Sequence, residues 1–340
     1  MKVENILLVS AFFPPSIGGP ATFISSIGPE FIKMGYRISY ANFEPYKKLS
    51  KLKRNFLFLR DVWRLTKATD LVVIADTWSA LIPTVFVCVL QQKKYVVRIG
   101  GDFLWETYLA RTKDHKKLSS FYFPTPKLSA KEKIIFFLTR RVLHGAEAVI
   151  FNTSWQQDIW EKPYGLENIK TSVVENALVT GAIPYAWKTG MQKIIRCPVR
   201  ASEFKNTETL KKVWKELVKK YPDTILSFDY IDPQERVRVL SETYAVIQPS
   251  ISDVAPNLIC ESVASGCPFI CTEDTGIRNL FPQDIGLYVD STNENKIQES
   301  LEMILDENVH HMQAQKISEF RIVRTYGILA EEYHHIWNKI

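Results

Sequence analysis

Short, nearly uninterrupted apolar runs recur along this chain. They are separated by stretches whose apolar residues return every three or four positions. Asn5–Ser10 (NILLVS), Ile38–Asn42, Leu71–Ala75 (LVVIA), Tyr95–Ile99 (YVVRI) and Ala148–Phe151 (AVIF) form a first series. Runs this short and this apolar predict strands buried on both faces, as in parallel sheets. Pro20–Met34, 79–91, Glu132–Leu143 and 155–161 read as the helices between them. A second series holds Ile194–Val199, Ile225–Phe228, Tyr244–Gln248, Pro268–Cys271 and Leu287–Val289. Its helices are Thr207–Lys219, 232–242, a short one opened by Pro256 and Asn257 and closed by Gly266, and two near 294–306 and 315–338. Strand, loop, helix, strand, repeated twice, predicts two doubly wound parallel sheets.

A length of 340 residues suits two domains. The stretch 179–191 (VTGAIPYAWKTGM) reads as the linker. We therefore expect an N-terminal Rossmann-like domain over 1–178 and a C-terminal one over 190–321. Apolar content of 46% supplies both cores. No apolar run reaches the ~18 residues of a membrane span; Ala80–Leu90 comes nearest and contains Pro83. Met1-Lys-Val-Glu leads straight into the first strand, which reads as no signal peptide. The five cysteines show neither metal spacing nor a disulfide framework, so a reducing cytoplasm is expected.

The net charge of +6 is unevenly placed. Lys47, Lys48, Lys51, Lys53 and Arg54 form one cluster, Arg111, Lys113, Lys116 and Lys117 another, and Lys131, Lys133, Arg140 and Arg141 a third. Such a face suits anionic lipid headgroups or nucleic acid, or is simply solvated. No nucleic-acid motif accompanies it. In the first cluster Leu49, Leu52, Phe56, Leu57 and Leu59 interleave with the cations at near-helical spacing, as in a segment lying on a membrane. Residues 107–130 are basic, aromatic and loop-like, either an acceptor-side flap or a surface excursion.

Open α/β sheets bind ligands beyond the C-terminal ends of their strands, so candidate chemistry is sought there. AFFPPSIGG follows the first strand, and Gly18-Gly19 permits close backbone approach at a helix start. It is not the GxGxxG dinucleotide fingerprint, which disfavours a nicotinamide dehydrogenase. Gly100-Gly101-Asp102 ends the fourth run, and Asp102 is either a site residue or a helix cap. Arg200 and Lys205 follow the first strand of the second series, two cations suited to a pyrophosphate. Asp253 precedes the helix opened at Asn257 and Leu258, and Glu261 lies within it. The free N–H groups of that helix make 250–258 a candidate diphosphate seat.

FPPxxGG, Arg-x4-Lys and Asp253-x7-Glu261 with Gly266-Cys267-Pro268, in this order, resemble the motifs of retaining GT-B glycosyltransferases of the family-4 group. RIGGDxxWE and Val173–Ala177 resemble further runs of the same group. This sequence departs from the pattern in having Asp253 where Glu is usual, and Val199 and Asn206 where Gly is usual.

The resemblance implies a GT-B fold, with two Rossmann-like domains facing across a cleft and a C-terminal helix, about 322–340, crossing back to the N-domain. It implies transfer of a sugar from a nucleotide diphosphate sugar to an acceptor hydroxyl with retention, in surface polysaccharide or glycoconjugate synthesis. No metal and no cofactor are expected. Arg200 and Lys205 would hold the leaving diphosphate, Glu261 the ribose hydroxyls and Asp253 the sugar. Asp102 would hold sugar or acceptor hydroxyls, and Gly18, Gly19, Asn257 and Leu258 would complete the donor contacts. Expected partners are the donor, a glycan or lipid-linked acceptor and an anionic membrane surface, with no nucleic acid. The location would be cytoplasmic, on the inner face of the cell membrane where peripheral. The alternative is a non-catalytic GT-B-like nucleotide-sugar-binding protein. A sugar-nucleotide epimerase is disfavoured, since no histidine sits at a plausible strand end.

Overall fold

A computed structural model of the chain describes every residue other than 1–2, 16–17, 182, 200–201 and 233. The chain forms two compact units. One comprises Met1–Leu104, Lys127–Ala177 and Thr325–Ile340, the other Trp105–Pro126 and Leu178–Arg324.

The apolar runs of the first unit become β1 (Asn5–Ser10), β2 (Arg37–Asn42), β3 (Leu71–Ile74), β4 (Lys94–Ile99), β5 (Ala148–Phe151) and β6 (Thr171–Val173). They form one parallel sheet in the order β2-β1-β3-β4-β5-β6. Successive side chains of a strand point to opposite faces, and here both faces are covered. Ile6, Leu8, Leu71, Val73, Val96 and Ile150 pack into one core with helices Gly19–Lys33 and Tyr326–Trp337. Their neighbours Leu7, Val9, Val72, Ile74 and Val97 are fully buried as well, and helix Leu81–Leu90 packs on β1, β3 and β4. The last helix is held by aromatic contacts. The Trp337 ring lies 4.9 Å from that of Phe31, and its indole donates to the Tyr36 hydroxyl at 2.8 Å.

The second unit opens with β7 (Leu178–Val179). Its main sheet contains β8 (Lys193–Arg196), β9 (Thr224–Ser227), β10 (Ala245–Gln248), β11 (Phe269–Thr272) and β12 (Leu287–Val289), all parallel, in the order β12-β11-β10-β8-β9. The two-residue β13 (Val323–Arg324) pairs antiparallel with β7. Here too the alternation fills two cores. Val246, Phe269 and Cys271 pack with helix Asn257–Ala264, and Ala245, Ile247 and Ile270 with helices Thr207–Leu217 and Glu294–Leu305.

Three expectations change. Residues 105–126, read above with the first domain, count with the second unit, and the loop expected over 107–130 holds the end of helix Phe103–Thr112 and a short helix, Leu118–Phe121. The stretch 315–338 is not one helix. Helix Glu307–Glu319 ends, Phe320 turns extended (ψ 132), and Thr325 caps a new helix by accepting the Ile328 amide. The stretch 179–191 is not a loose linker. Trp187 is 6% exposed, and the Tyr185 hydroxyl donates to the carbonyls of Thr243 and Tyr244, both at 3.0 Å. Gly266 follows for a packing reason. It has a left-handed φ of 75°, and a Cβ there would meet the Tyr185 Cβ at 2.8 Å.

His310 lies in the same place, 1% exposed and stacked 4.0 Å from the Tyr244 ring. Its Nε2 faces the Tyr244 carbonyl at 2.9 Å, which fixes the proton there. Its buried Nδ1 has no partner among the described residues. A second proton would put charge on that unpaired atom, and burial accordingly drives the imidazole down from 6.5 to about 4. Between those values the unfolded chain takes up a proton that the folded chain refuses. This share of the stability is full above pH 6.5 and falls as pH falls through about 4, by ~3 kcal/mol in all. Urea unfolding from neutral to mildly acid pH is expected to show a steeper loss for the wild-type chain than for His310→Phe. Equal slopes would refute this origin.

Candidate functional site

β8 and β10 are neighbours, and the loops leaving their C-terminal ends are joined. The Ile251 amide donates to the Phe204 carbonyl at 2.8 Å. Lys205 ends the single 3-10 turn Glu203–Lys205, and its Nζ lies 2.5 Å from Asp253 Oδ2. Gln248, the last residue of β10, donates from Nε2 to the same oxygen at 2.6 Å. Gln248 is 2% exposed, and its Oε1 has no partner among the described residues. Asn206 fixes the turn from the other side. It adopts a left-handed φ of 55°, and its Nδ2 donates to the Ser291 carbonyl at 2.7 Å. The result is a cation and a carboxylate, 19% and 13% exposed, held at the edge where open sheets bind ligands.

The loop carrying Asp253 is held from behind by 105–126. The Asp253 amide donates to the Asp274 carbonyl at 3.1 Å. The Asp274 carboxylate accepts from the Ser252 hydroxyl at 2.5 Å, from the Ser119 amide at 3.3 Å and from the Ser119 hydroxyl. Ser252 Oγ in turn accepts the Leu118 amide at 2.8 Å. Lys117 spans Glu273 and Asp290, each at 2.9 Å. Burial works against its charge, but these two carboxylates hold the ammonium above its usual range.

Helix Asn257–Ala264 starts after Pro256, so Asn257 and Leu258 occupy its first turn. The Leu258 side chain is 7% exposed and belongs to the core, so what it offers a ligand is its amide. Glu261, within this helix, is gripped by Arg236. The guanidinium Nη1 lies 2.9 Å from both Glu261 oxygens. Burial holds the Glu261 carboxyl above its usual range, although Arg236 pulls against it. The buried Nε of Arg236 has no partner among the described residues.

In the first unit Gly18, with φ 145°, precedes helix Gly19–Lys33, whose first turn contains Pro20. Asp102 is 1% exposed and accepts the Trp160 indole N–H at 2.9 Å. Its carboxylate thus serves the interior of that unit, and the expectation of a sugar-facing group gains nothing from this placement. Arg200 lies outside the described residues.

The structure thus brings Lys205 and Asp253 together and gives Glu261 a counterion. Sequence reasoning missed Gln248, Arg236 and the Lys117–Ser119 support. A polar residue ending the run YAVIQ is a legible signal for Gln248; nothing in RVRVLS marks Arg236.

No protein-family model matches the chain, and no curated protein matches it in sequence. Solved structures match it along its whole length. Sucrose-phosphate synthase from Thermosynechococcus elongatus has a TM-score of 0.70 at 14% identity, covering 99% of this chain and 98% of that one. Anabaena HepE in complex with UDP-glucose has a TM-score of 0.69 at 12% identity, covering 99% and 100%. The catalytic domain of starch synthase IV from Arabidopsis thaliana, bound to ADP and acarbose, has a TM-score of 0.64 at 9% identity, covering 99% of each. These neighbours are GT-B glycosyltransferases, and the fold of this chain is GT-B, built of two Rossmann-like units.

Arg236→Gln leaves Glu261 without a counterion in a largely buried setting. We expect a stability loss of about 1–3 kcal/mol near neutral pH, less than for a fully buried pair because both side chains keep some solvent contact. The loss shrinks as pH falls and Glu261 takes a proton, and Glu261→Gln in the same chain recovers part of it. Denaturant unfolding of the single and double variants near neutral and near mildly acid pH measures this. A loss independent of pH would contradict it.

Proposed function

We propose that the protein is a glycosyltransferase. It moves a sugar from a nucleotide diphosphate sugar to an acceptor hydroxyl with retention and without a metal ion. We place it in the synthesis of a surface polysaccharide or glycoconjugate, in the cytoplasm at the inner face of the cell membrane. The observation that carries this reading is the Lys205–Asp253 pair, held at the strand ends of β8 and β10 in a GT-B fold.

In this reading Lys205, with Arg200, neutralises the diphosphate as it leaves. Electrostatic stabilisation of developing charge is usually the largest catalytic contribution. The first-turn amides of helix Asn257–Ala264 add the positive end of its dipole. Glu261, paired with Arg236, accepts from ribose hydroxyls. Asp253 exchanges Lys205 for the sugar. The Anabaena neighbour was solved with UDP-glucose and the Arabidopsis one with ADP, which supports a nucleotide-linked donor for this chain. Charge supplied by side chains and helix amides leaves no task for a cation.

One observation favours a second reading. Lys205 and Glu261 are both already paired with residues of this chain. A non-catalytic nucleotide-sugar-binding protein would keep such pairs, and it predicts binding without turnover.

A thermal-stabilisation screen of nucleotide sugars, followed by donor hydrolysis with each hit, tests the proposal. Stabilisation with hydrolysis is expected; stabilisation by no donor sinks both readings. Lys205→Ala and Arg200→Ala are each expected to raise the transfer barrier by about 2–4 kcal/mol, and wild-type turnover in both would remove the phosphate assignment. A chelator is expected to leave the rate unchanged, and strict dependence on magnesium or manganese would contradict the metal-free mechanism.

A further inference from the structure

We infer that the outer face of helices Lys51–Thr66, Leu81–Leu90 and Ala130–His144 is a docking surface for an anionic lipid bilayer. The middle helix, LIPTVFVCVL, contains no charged residue, yet Phe86, Val89 and Leu90 are 57, 65 and 56% exposed. It packs against both other helices. On one side of it Leu52 and Phe56, one turn apart, are 85 and 68% exposed. On the other Ile134 and Phe137 are 56 and 65% exposed. Single exposed apolar residues need no explanation, but several on three helices packed side by side mark an interaction site.

The charges around the patch decide its occupant. The two flanking helices carry five cations (Lys51, Lys53, Arg54, Arg60, Arg64) and four (Lys131, Lys133, Arg140, Arg141), nine in all. They carry two acids. Asp61 is engaged by the Tyr46 hydroxyl and Arg60, and Glu132 is buried in the capping box of its helix. A second copy of this chain would bring cations against cations across a two-fold axis. A bilayer with anionic headgroups satisfies both features, with apolar side chains sunk to the acyl boundary and cations at the phosphates. Among the described residues no helix is long and apolar enough to cross a membrane, so contact is at the surface.

The sequence pattern placed an amphipathic membrane segment in 47–59 and offered 131–141 only as one of the basic clusters. The structure turns only part of that segment outward, since Leu49, Leu57 and Leu59 are half-buried, and extends the face to two further helices. The inference deepens the proposed function by naming the partner of this surface. It rests on that reading only for the location of the acceptor.

Co-sedimentation with vesicles of phosphatidylcholine, alone or mixed with phosphatidylglycerol, tests it, comparing wild type with Phe86→Ser/Val89→Ser and with Lys51→Glu/Lys53→Glu/Arg140→Glu/Arg141→Glu. All these positions are exposed, and an unchanged melting temperature verifies folding. Wild type is expected to bind the mixed vesicles and not the neutral ones. The serine variant is expected to bind at least about tenfold more weakly, from the apolar area withdrawn, and the charge-reversed variant not at all. Wild-type binding by the serine variant, or equal binding to both vesicle types, would overturn the inference. So would a lipid-free dimer, seen by sedimentation velocity, that the serine variant dissolves. Donor turnover measured without lipid reports on the glycosyl-transfer reading alone, so the two ideas fail separately.

Discussion

A parallel strand cannot return through a tight turn; each connection must cross over the sheet. Every strand of the two main sheets obeys this, so in each unit the loops that follow the strands collect along one edge. Irregular backbone and polar side chains concentrate there, because the sheet interiors are largely apolar. Lys205 and Asp253 are far apart in sequence but come from loops that follow two adjacent strands, and one backbone hydrogen bond, Ile251 to Phe204, ties these loops together. The site is thus a consequence of strand order as much as of side-chain chemistry.

Among the described residues, Lys205 and Glu261 at that edge are already paired. Lys205 is held by Asp253, and Glu261 by Arg236. Partly buried ions left unpaired are costly, so in the absence of a ligand each group takes a partner from this chain. A diphosphate would bring its own negative charge to Lys205, and sugar hydroxyls would serve Asp253, so that binding exchanges one set of pairs for another. Such an exchange would cost little reorganisation, because Asn206, Gln248 and Asp274 hold the loops on either side.

Much of this was legible in the sequence. Runs such as LVVIA and AVIF declare buried parallel strands, and the resemblance of Arg-x4-Lys and Asp253-x7-Glu261 to family motifs singled out Lys205, Asp253 and Glu261. What escaped was set by distant partners. Tyr185 and Trp187 look like linker residues until Thr243, Tyr244 and His310 are beside them. Residues 107–130 read as a basic loop, and only Ser252, Glu273, Asp274 and Asp290 reveal where Lys117–Ser119 within it packs. Asp102 behind two glycines matched a site residue and a helix cap equally well, and the Trp160 indole N–H that it accepts lies far along the chain. Arg236 carries no local signal, because its meaning is the carboxylate it faces.

The central claim is that Lys205 leaves Asp253 for a phosphate group, and calorimetry tests it most directly. Each nucleoside diphosphate is titrated against the corresponding monophosphate, in wild type and in Lys205→Ala. One diphosphate should bind the wild-type chain at least about tenfold tighter than its monophosphate, the scale of one charge-assisted contact, and Lys205→Ala should erase that preference. A diphosphate preference that survives in Lys205→Ala, or none in the wild type, would contradict it.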